Sequence, residues 1–431
     1  MSFVIYPKND TISKIVYSNG LTVVTESNPF LHTACVGVWI KTGSGSETRE
    51  NNGISHFIEH LLFKGVDPIS GKPFITEIES RGGQINAFTD REFTCYYTKI
   101  MNDDIPIAIK VLGNMISNRD FSVKDFETEK KVVQEEIRKK KDSINDFILN
   151  TTCKLFWGSQ SYGLPVVGNE ATICALSQQI TADFLESSYT LDNIVISIIG
   201  NMSSDLLTEV IDRHFGGINK KLKPTKQIVE DKTSARFFQS YQKINQSYLS
   251  IGFPGVGYDN SKKINASSVL NGVLSGGITG RLPNIIREEF GLAYSVVTQR
   301  MSYKTKGLFI INTCTCQEHF ERLLDLIFQQ LKIMREKRIN NDEISQAKRK
   351  VITDYCFSIE NLRYKMAHLA QSHIFFNRLL SSNEAINEIQ EVSTEDVNQL
   401  VDEIFFTDET VISAIGPFET DLTEMVSKYL L

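Results

Sequence analysis

The pattern of apolar and polar residues predicts closely spaced strands and a helix near the start of the chain. Residues 15–28 form two short β-rich runs around Asn19-Gly20, a dipeptide typical of tight hairpin turns. Residues 33–45 predict a strand that runs into a glycine turn. Residues 53–65, GISHFIEHLLFKG, have helical spacing between their apolar positions and a glycine at each end.

The next segments continue this mixture of strands and helices. Residues 84–100 predict two strands around a turn at 89–91, and residues 103–117 and 124–141 predict helices. Strands and helices that alternate in this way indicate the α+β class, with sheets covered by helices.

A faint internal repeat relates the two halves of the chain. YTLDNIVISIIG at 189–200 resembles FFTDETVISAIG at 405–416, and the helical segment at 121–133 resembles the one at 339–352. Thr181-Ala-Asp-Phe and Thr394-Glu-Asp-Val also correspond, and in both we interpret the threonine as an N-cap candidate. Three correspondences in the same order favour two related halves over the roughly three domains that length alone suggests.

The repeat and the composition together predict the domain boundaries. Residues 216–233 begin with two glycines and carry several lysines and one proline, as expected of a solvated linker. We therefore predict an N-terminal domain at 1–215 and a C-terminal domain of similar fold at 234–431.

Composition limits which binding partners and which cellular compartment are expected. The chain has 431 residues, an ordinary apolar fraction and a net charge of -6, so nucleic acid and anionic membranes are not expected partners. No apolar run is long enough for a membrane span, and the N-terminus has no secretory pattern. The odd number of cysteines, without any C-x-x-C pair, is typical of reduced thiols. We expect a cytoplasmic protein.

The sharpest chemical signal is His56-Phe57-Ile58-Glu59-His60. On a helix, His56 and His60 project from one face and can reach one metal ion, while Glu59 points toward the same site without being a ligand. That is the placement required of a base that deprotonates a metal-bound water. The alternative is a pair of surface or core histidines without a metal.

A catalytic zinc needs a third protein ligand, and the predicted helix at 124–141 offers carboxylates. Glu129 and Glu136 are two helical turns apart and share a face, whereas Glu135 points elsewhere. One of the two could bind the metal while the other orients a ligand. A solvated helix face explains any one glutamate equally well.

These residues carry a family resemblance. IKTGSGSETRENNGISHFIEHLLFKG followed by EIESRGGQINAFTDREFTCYY resembles the pitrilysin/insulinase family of zinc metallopeptidases, especially the β-subunit of mitochondrial processing peptidase and its bacterial relatives. In that family, H-x-x-E-H is followed about 76 residues later by E-x(6)-E, and Glu136 lies at that distance from His60. The resemblance implies His56, His60 and Glu136 as Zn²⁺ ligands, Glu59 as general base and Glu129 as support for a ligand. It also implies two structurally related lobes, each a mostly antiparallel β-sheet flanked by α-helices.

Two further segments fit the same family. SGGITGRLPNIIREEFGLAYSVVT at 275–298 resembles its G-G-x-x-x-R-L…R-E-x-x-G-L-x-Y signature, which implies that Arg287 and Tyr294 contact the substrate backbone. A surface helix arginine and a packed aromatic are the alternative. The resemblance also assigns Asn86, Ala87 and Phe88 to an exposed edge strand that pairs with an extended peptide.

The sequence therefore predicts a zinc endopeptidase that cuts short or unfolded peptides at a site between two lobes. Asp142 and Asp146 do not align cleanly with the acidic pair by which processing peptidases recognise arginine, so that specificity is not predicted. The alternative function is a non-catalytic interaction or core subunit, since the family contains such members. The resemblance implies a homodimer as one assembly, with closure within a single chain as the other.

Overall fold

The computed structural model describes residues 2–8, 11–67, 70–158, 161–218 and 235–430. These residues form two compact units. The first unit consists of the described residues within 1–139, 164–229 and 358–381, and the second unit of those within 140–163, 230–357 and 382–431.

The strands are, in chain order, β1 (Phe3–Pro7), β2 (Ile12–Tyr17), β3 (Thr22–Ser27), β4 (Thr33–Ile40), β5 (Gln84–Thr89), β6 (Thr94–Met101), β7 (Ile194–Gly200), β8 (Phe237–Tyr241), β9 (Ser247–Gly255), β10 (Val296–Ser302), β11 (Gly307–Thr315) and β12 (Val411–Gly416). The helices are α1 (Ile54–Leu62), α2 (Ile75–Glu79), α3 (Ile105–Ser117), α4 (Val123–Asp142), α5 (Ile144–Trp157), α6 (Glu170–Ala175), α7 (Gln178–Ser188), α8 (Ser204–Phe215), α9 (Ser261–Ser275), α10 (Arg281–Pro283), α11 (Phe320–Lys337), α12 (Asn341–Ile359), α13 (Leu362–Phe376), α14 (Ser382–Glu391), α15 (Thr394–Phe405) and α16 (Thr423–Ser427). The hairpin at Asn19-Gly20 and the helix at 53–65 are thus confirmed as β2–β3 and α1.

The sheet of the first unit has the order β1-β2-β3-β7-β4-β6-β5. Its neighbouring strands are antiparallel except β3 and β7, which run parallel. Helices α1, α3, α4 and α8 contribute to a large apolar core with one face of this sheet. The α+β class, with a mostly antiparallel sheet flanked by helices, is confirmed for this unit.

The second unit repeats the plan. Its sheet has the order β10-β11-β9-β12-β8, and β8 and β12 are its parallel pair. Strands β7 and β12, which carry the repeated VIS-x-IG pattern, therefore occupy equivalent places. Each has a parallel neighbour on one side and an antiparallel neighbour on the other. Both strands are buried along their whole length, which explains why the repeat is apolar there.

Each unit includes a helix from the other half of the sequence. Helix α13 packs on the second face of the first sheet, where the Trp39 indole N–H points at the Met366 sulfur 3.3 Å away and the Ser197 hydroxyl donates to the Met366 carbonyl. Helix α5 packs on β9 and β12 in the second unit, where the Thr152 and Ser413 hydroxyls lie 3.0 Å apart. The predicted division at 215 and 234 does not include this exchange. Residues 219–233 of the predicted linker lie outside the described residues.

The two predicted N-caps are displaced from the true helix starts. Helix α7 is capped by Ser177, whose side chain accepts from the Ile180 N–H, and Thr181 is buried inside the helix. Helix α15 is capped by Ser393 in a capping box, with Thr394 as its first residue. The prediction of Thr181 and Thr394 as N-caps was wrong because a serine upstream of each already binds the free helix N–H groups.

Helix α1 starts at a glycine that the backbone requires. Gly53 has a φ of 94°, and a Cβ on it would lie 2.8 Å from both the Gly168 Cα and the Val167 carbonyl oxygen. Positive φ and this close backbone contact both disfavour any side chain.

We predict that Gly53→Ala lowers the free energy of unfolding by about 3 kcal/mol, because it combines left-handed strain with overpacking against backbone atoms. Gly82→Ala is the matched control, since Gly82 also has positive φ but, among the described residues, no atom lies within 4 Å of the added Cβ. The control should cost only about 1 kcal/mol in chemical denaturation. Equal losses in the two variants would contradict the steric argument.

Candidate metal centre

The helix that carries the histidines is fixed by a buried carboxylate. Glu47 is fully buried and accepts from the backbone N–H groups of Gly53 at 2.7 Å and Ser55 at 2.8 Å, and from the Asn52 amide at 3.0 Å. It therefore binds free N–H groups at the N-terminus of α1, where the helix dipole also favours a negative charge. Burial raises the pKa of Glu47, and these hydrogen bonds oppose the rise.

The two histidines and one glutamate lie close together. His56 and His60 are neighbours on α1, with ring centroids 4.8 Å apart. The Glu136 Oε2 atom, from α4, lies 3.6 Å from His56 Nε2 and 3.4 Å from His60 Nε2. One possible ligand atom from each of the three residues falls within 4.8 Å of the others.

This donor set fits a zinc ion. Two ligand atoms about 2.0–2.1 Å from a tetrahedral ion lie roughly 3.3–3.4 Å apart. The observed separations of 3.4 and 3.6 Å to Glu136 are close to that value. Two imidazoles with one carboxylate are also a ligand set that zinc uses in catalytic sites, where a fourth position stays open.

Glu129 contacts one of the histidines. Its Oε2 atom lies 3.3 Å from His60 Nδ1, and its Oε1 atom forms an ion pair with Lys64 Nζ at 2.9 Å. A hydrogen bond from Nδ1–H to Glu129 selects the tautomer that leaves Nε2 to face Glu136 and His56. The side chain of Glu129 is only 4% exposed, so it is held in place by packing as well.

The charges around His60 and Glu129 shift the pKa values of both residues. Hydrogen bonds to Glu129 and then Glu136 raise the pKa of His60 to about 9, against the opposing effect of burial. Burial disfavours the Glu129 carboxylate, but hydrogen bonds from His60 and Lys64 outweigh it, and the pKa of Glu129 is lowered. The centre thus favours positive charge. A metal that binds His60 Nε2 must displace the proton from that nitrogen.

Glu59 lies on the same helix and is held by a residue of the neighbouring strand. The Thr89 hydroxyl, at the end of β5, donates to Glu59 Oε2 at 2.5 Å. The negative charge of Glu59 also contributes to the raised pKa of His60, which places this carboxylate in the same electrostatic environment.

The predicted peptide-binding residues lie on an edge strand. Asn86, Ala87 and Phe88 belong to β5, which ends the first sheet and pairs with β6. The Ala87 N–H donates to the side-chain oxygen of Asn86 at 2.8 Å. Phe88 packs on Trp39, with the Arg363 guanidinium 5.2 Å from its ring centroid.

The predicted Arg287 and Tyr294 pair is brought together within the second unit. Arg287 lies in a π-helical turn, Asn284–Glu289, and its guanidinium carbon is 5.1 Å from the centroid of the Tyr294 ring. Tyr294 is 80% exposed, so it is not the packed aromatic of the alternative interpretation. A π-helical turn is rare and is frequent at functional sites.

Sequence reasoning missed three residues that support the centre, namely Glu47, Lys64 and Thr89. Lys64 lies in the turn after α1, and its partner is Glu129 on α4, so no rule for neighbours on one helix could have found the contact. Glu47 precedes the helix by several residues, and the usual capping rules examine only the N-cap position, which is Gly53 here. The Thr89 contact spans 30 residues, and no local pattern predicts it.

Comparison with known families agrees with this geometry. Residues 22–170 match the model described as insulinase (peptidase family M16), and residues 175–351 match the model described as the peptidase M16 inactive domain. The uncharacterized zinc protease YmxG of Bacillus subtilis is 32% identical over 408 residues, which cover 94% of this chain and 98% of the relative. The chain therefore belongs to the insulinase family, peptidase family M16.

Other relatives and solved structures extend the likeness. An uncharacterized zinc protease of Rickettsia felis is 28% identical over 95% of this chain and 98% of its own. A protease from Helicobacter pylori has the same fold, with a TM-score of 0.85 at 19% identity over 93% of this chain and 98% of its own. A chain of complex III from Candida albicans has a TM-score of 0.80 at 20% identity over 97% of this chain and 99% of its own. Within the described part of this chain, no helix combines the length and apolar character that crossing a membrane requires.

We predict that Glu47→Ala lowers the free energy of unfolding by about 3 kcal/mol, because several buried donors at the start of α1 lose their acceptor. Glu50→Ala is the matched control on the same loop, since Glu50 is exposed. Thermal denaturation of the two variants should show a clear drop in Tm for the first and none for the second. A Glu47→Ala protein as stable as the control would contradict the capping role.

Proposed function

We propose that this protein is a zinc-dependent endopeptidase that hydrolyses short or unfolded peptides, in the manner of a processing peptidase. The observation that carries the proposal is the convergence of His56, His60 and Glu136, with Glu59 on the same helix. The relatives named zinc proteases support the same class of activity.

His56, His60 and Glu136 are the proposed ligands, and Glu129 keeps His60 in the tautomer that binds. A zinc ion held there supplies Lewis-acid chemistry, since it polarises a carbonyl and makes water acidic enough to lose a proton near neutral pH. Glu59 takes the proton from the attacking water and passes it to the leaving amine. We assign Arg287 and Tyr294 to the substrate backbone, as the family resemblance implies.

The substrate class follows from the edge strand. A peptide that pairs with β5 through backbone hydrogen bonds must be extended, which favours short or unfolded chains over folded proteins. The Ala87 N–H, now bound to the Asn86 side chain, becomes available to such a peptide when that side chain rotates.

A non-catalytic subunit is the second candidate, favoured by the fold shared with a chain of complex III and by the match to the inactive-domain model. The intact ligand triad argues against it, because an interaction subunit has no need of two imidazoles and a carboxylate at metal-binding distance. A cytoplasmic location and a homodimer stay predictions.

We predict that Glu59→Gln keeps zinc and loses peptide cleavage by on the order of 10²- to 10⁴-fold in kcat, because the amide cannot accept the proton. The measurements are cleavage of a quenched peptide library and elemental analysis of the same samples. Glu79→Gln, at an exposed position on α2, is the control and should cleave like the parent protein. Undiminished turnover in Glu59→Gln would refute the proposed mechanism.

We predict a separate effect for the ligand on α4. Glu136→Gln should weaken zinc binding by at least about 100-fold, since loss of a direct ligand exceeds the 10- to 100-fold effect of outer contacts. Glu135→Gln is the matched control one residue away, with a side chain that is 72% exposed and paired with Arg138. Competition with a zinc chelator measures both, and equal affinities would exclude Glu136 as a ligand.

A further inference from the structure

The hydrogen bond between Thr89 and Glu59 joins two parts of the site that the sequence treats separately. Thr89 is the last residue of β5, the strand assigned to peptide pairing, and Glu59 is the assigned base on α1. The oxygen–oxygen distance of 2.5 Å falls within the range of a strong hydrogen bond from a hydroxyl to an ionised carboxylate.

A glutamate on a helix needs such a contact if its carboxylate is to keep one orientation. The terminal torsion of glutamate is broad, so the helix alone does not fix where its oxygens point. A general base works only within hydrogen-bond reach of the proton that it takes, and a misplacement of about 1 Å can cost 100-fold in rate. A donor that holds one oxygen restricts this torsion.

Thr89 can act as this donor because its own backbone is fixed. In register it pairs with Thr94 of β6, and the turn that follows is closed by a bond from the Asp90 N–H to the Phe93 carbonyl. The Asp90 and Arg91 carbonyls accept from the N–H groups of Ser44 and Gly45. A Cβ on Gly43 would lie 2.0 Å from the Asp90 carbonyl oxygen, so the two segments are in close contact.

The same segment also holds the helix that carries Glu59. Three residues after Ser44, Glu47 binds the N-terminus of α1. The end of β5 and the start of α1 are therefore attached to one short stretch of chain, residues 43–47. This attachment keeps the Thr89 hydroxyl and the Glu59 carboxylate at a defined separation.

We infer that Thr89 is a positioning residue that fixes the Glu59 carboxylate and links it to the peptide-binding strand. This inference rests on the proposed peptidase function and adds to it a residue that touches the base. Thr89 is not itself a catalytic residue, since it acts through Glu59.

The kinetic test compares Thr89→Val, which keeps the shape and removes the hydroxyl, with Thr89→Ser, which keeps the hydroxyl. We expect Thr89→Val to lower kcat by about 10- to 100-fold with little change in KM or in zinc content, and Thr89→Ser to recover most of kcat. Thr94→Val is the matched control, because its hydroxyl donates to the Thr42 carbonyl, just beyond the end of β4, and not to Glu59. In the Glu59→Gln background, Thr89→Val should cause no further loss, as expected of residues that act as a unit.

A second readout needs no turnover. Crystal structures of the zinc-loaded variants should show one Glu59 orientation in Thr89→Ser and a rotated or divided carboxylate in Thr89→Val. A parent-like kcat in Thr89→Val, failure of serine to rescue, or an unchanged Glu59 orientation would overturn the inference. Absence of cleavage by the parent protein, or full activity of Glu59→Gln, would instead refute the proposed function, and the crystal structures would still decide the role of Thr89.

Discussion

The candidate metal centre depends on the hydrogen bonds between the buried Glu47 carboxylate and the start of α1. Three prospective active residues, His56, Glu59 and His60, are carried by that one short helix, so its position sets theirs. Its N-cap is Gly53, which has no side chain to act as an acceptor, and Glu47 supplies the acceptor from outside the helix. A buried carboxylate is costly in itself, and it is tolerated here because backbone donors surround it.

Electrostatics then determine what the centre can bind. Three carboxylates, those of Glu59, Glu129 and Glu136, lie around His60 and raise its pKa. Lys64 offsets part of the charge on Glu129, the most buried of the three. The remaining negative charge lies next to two imidazole nitrogens, and this combination of charge and nitrogen donors favours a divalent transition metal over a simple salt bridge.

The fold positions these elements in two units of similar architecture. Helices α5 and α13 each belong to the unit that is formed mainly by the other half of the chain. Strands β7 and β12 were predictable as equivalent, because a buried central strand needs an apolar run that survives divergence. The exchange of α5 and α13 was not predictable. The contact of Trp39 with Met366 spans 327 residues, and neither residue type nor spacing indicates which sheet an amphipathic helix will cover.

The sequence by itself determined the elements near the site and the small set of side chains from which the proposed ligands come. Helical periodicity fixes His56 and His60 on one face of α1, and a separation of seven residues does the same for Glu129 and Glu136 on α4. Only the tertiary structure decided which of these glutamates faces both imidazoles and which binds His60 Nδ1. It also decided that Glu47 caps α1 and that Thr89 holds Glu59. The physical reason is that periodicity is a local property of the chain, whereas hydrogen bonds between separate elements depend on how those elements pack.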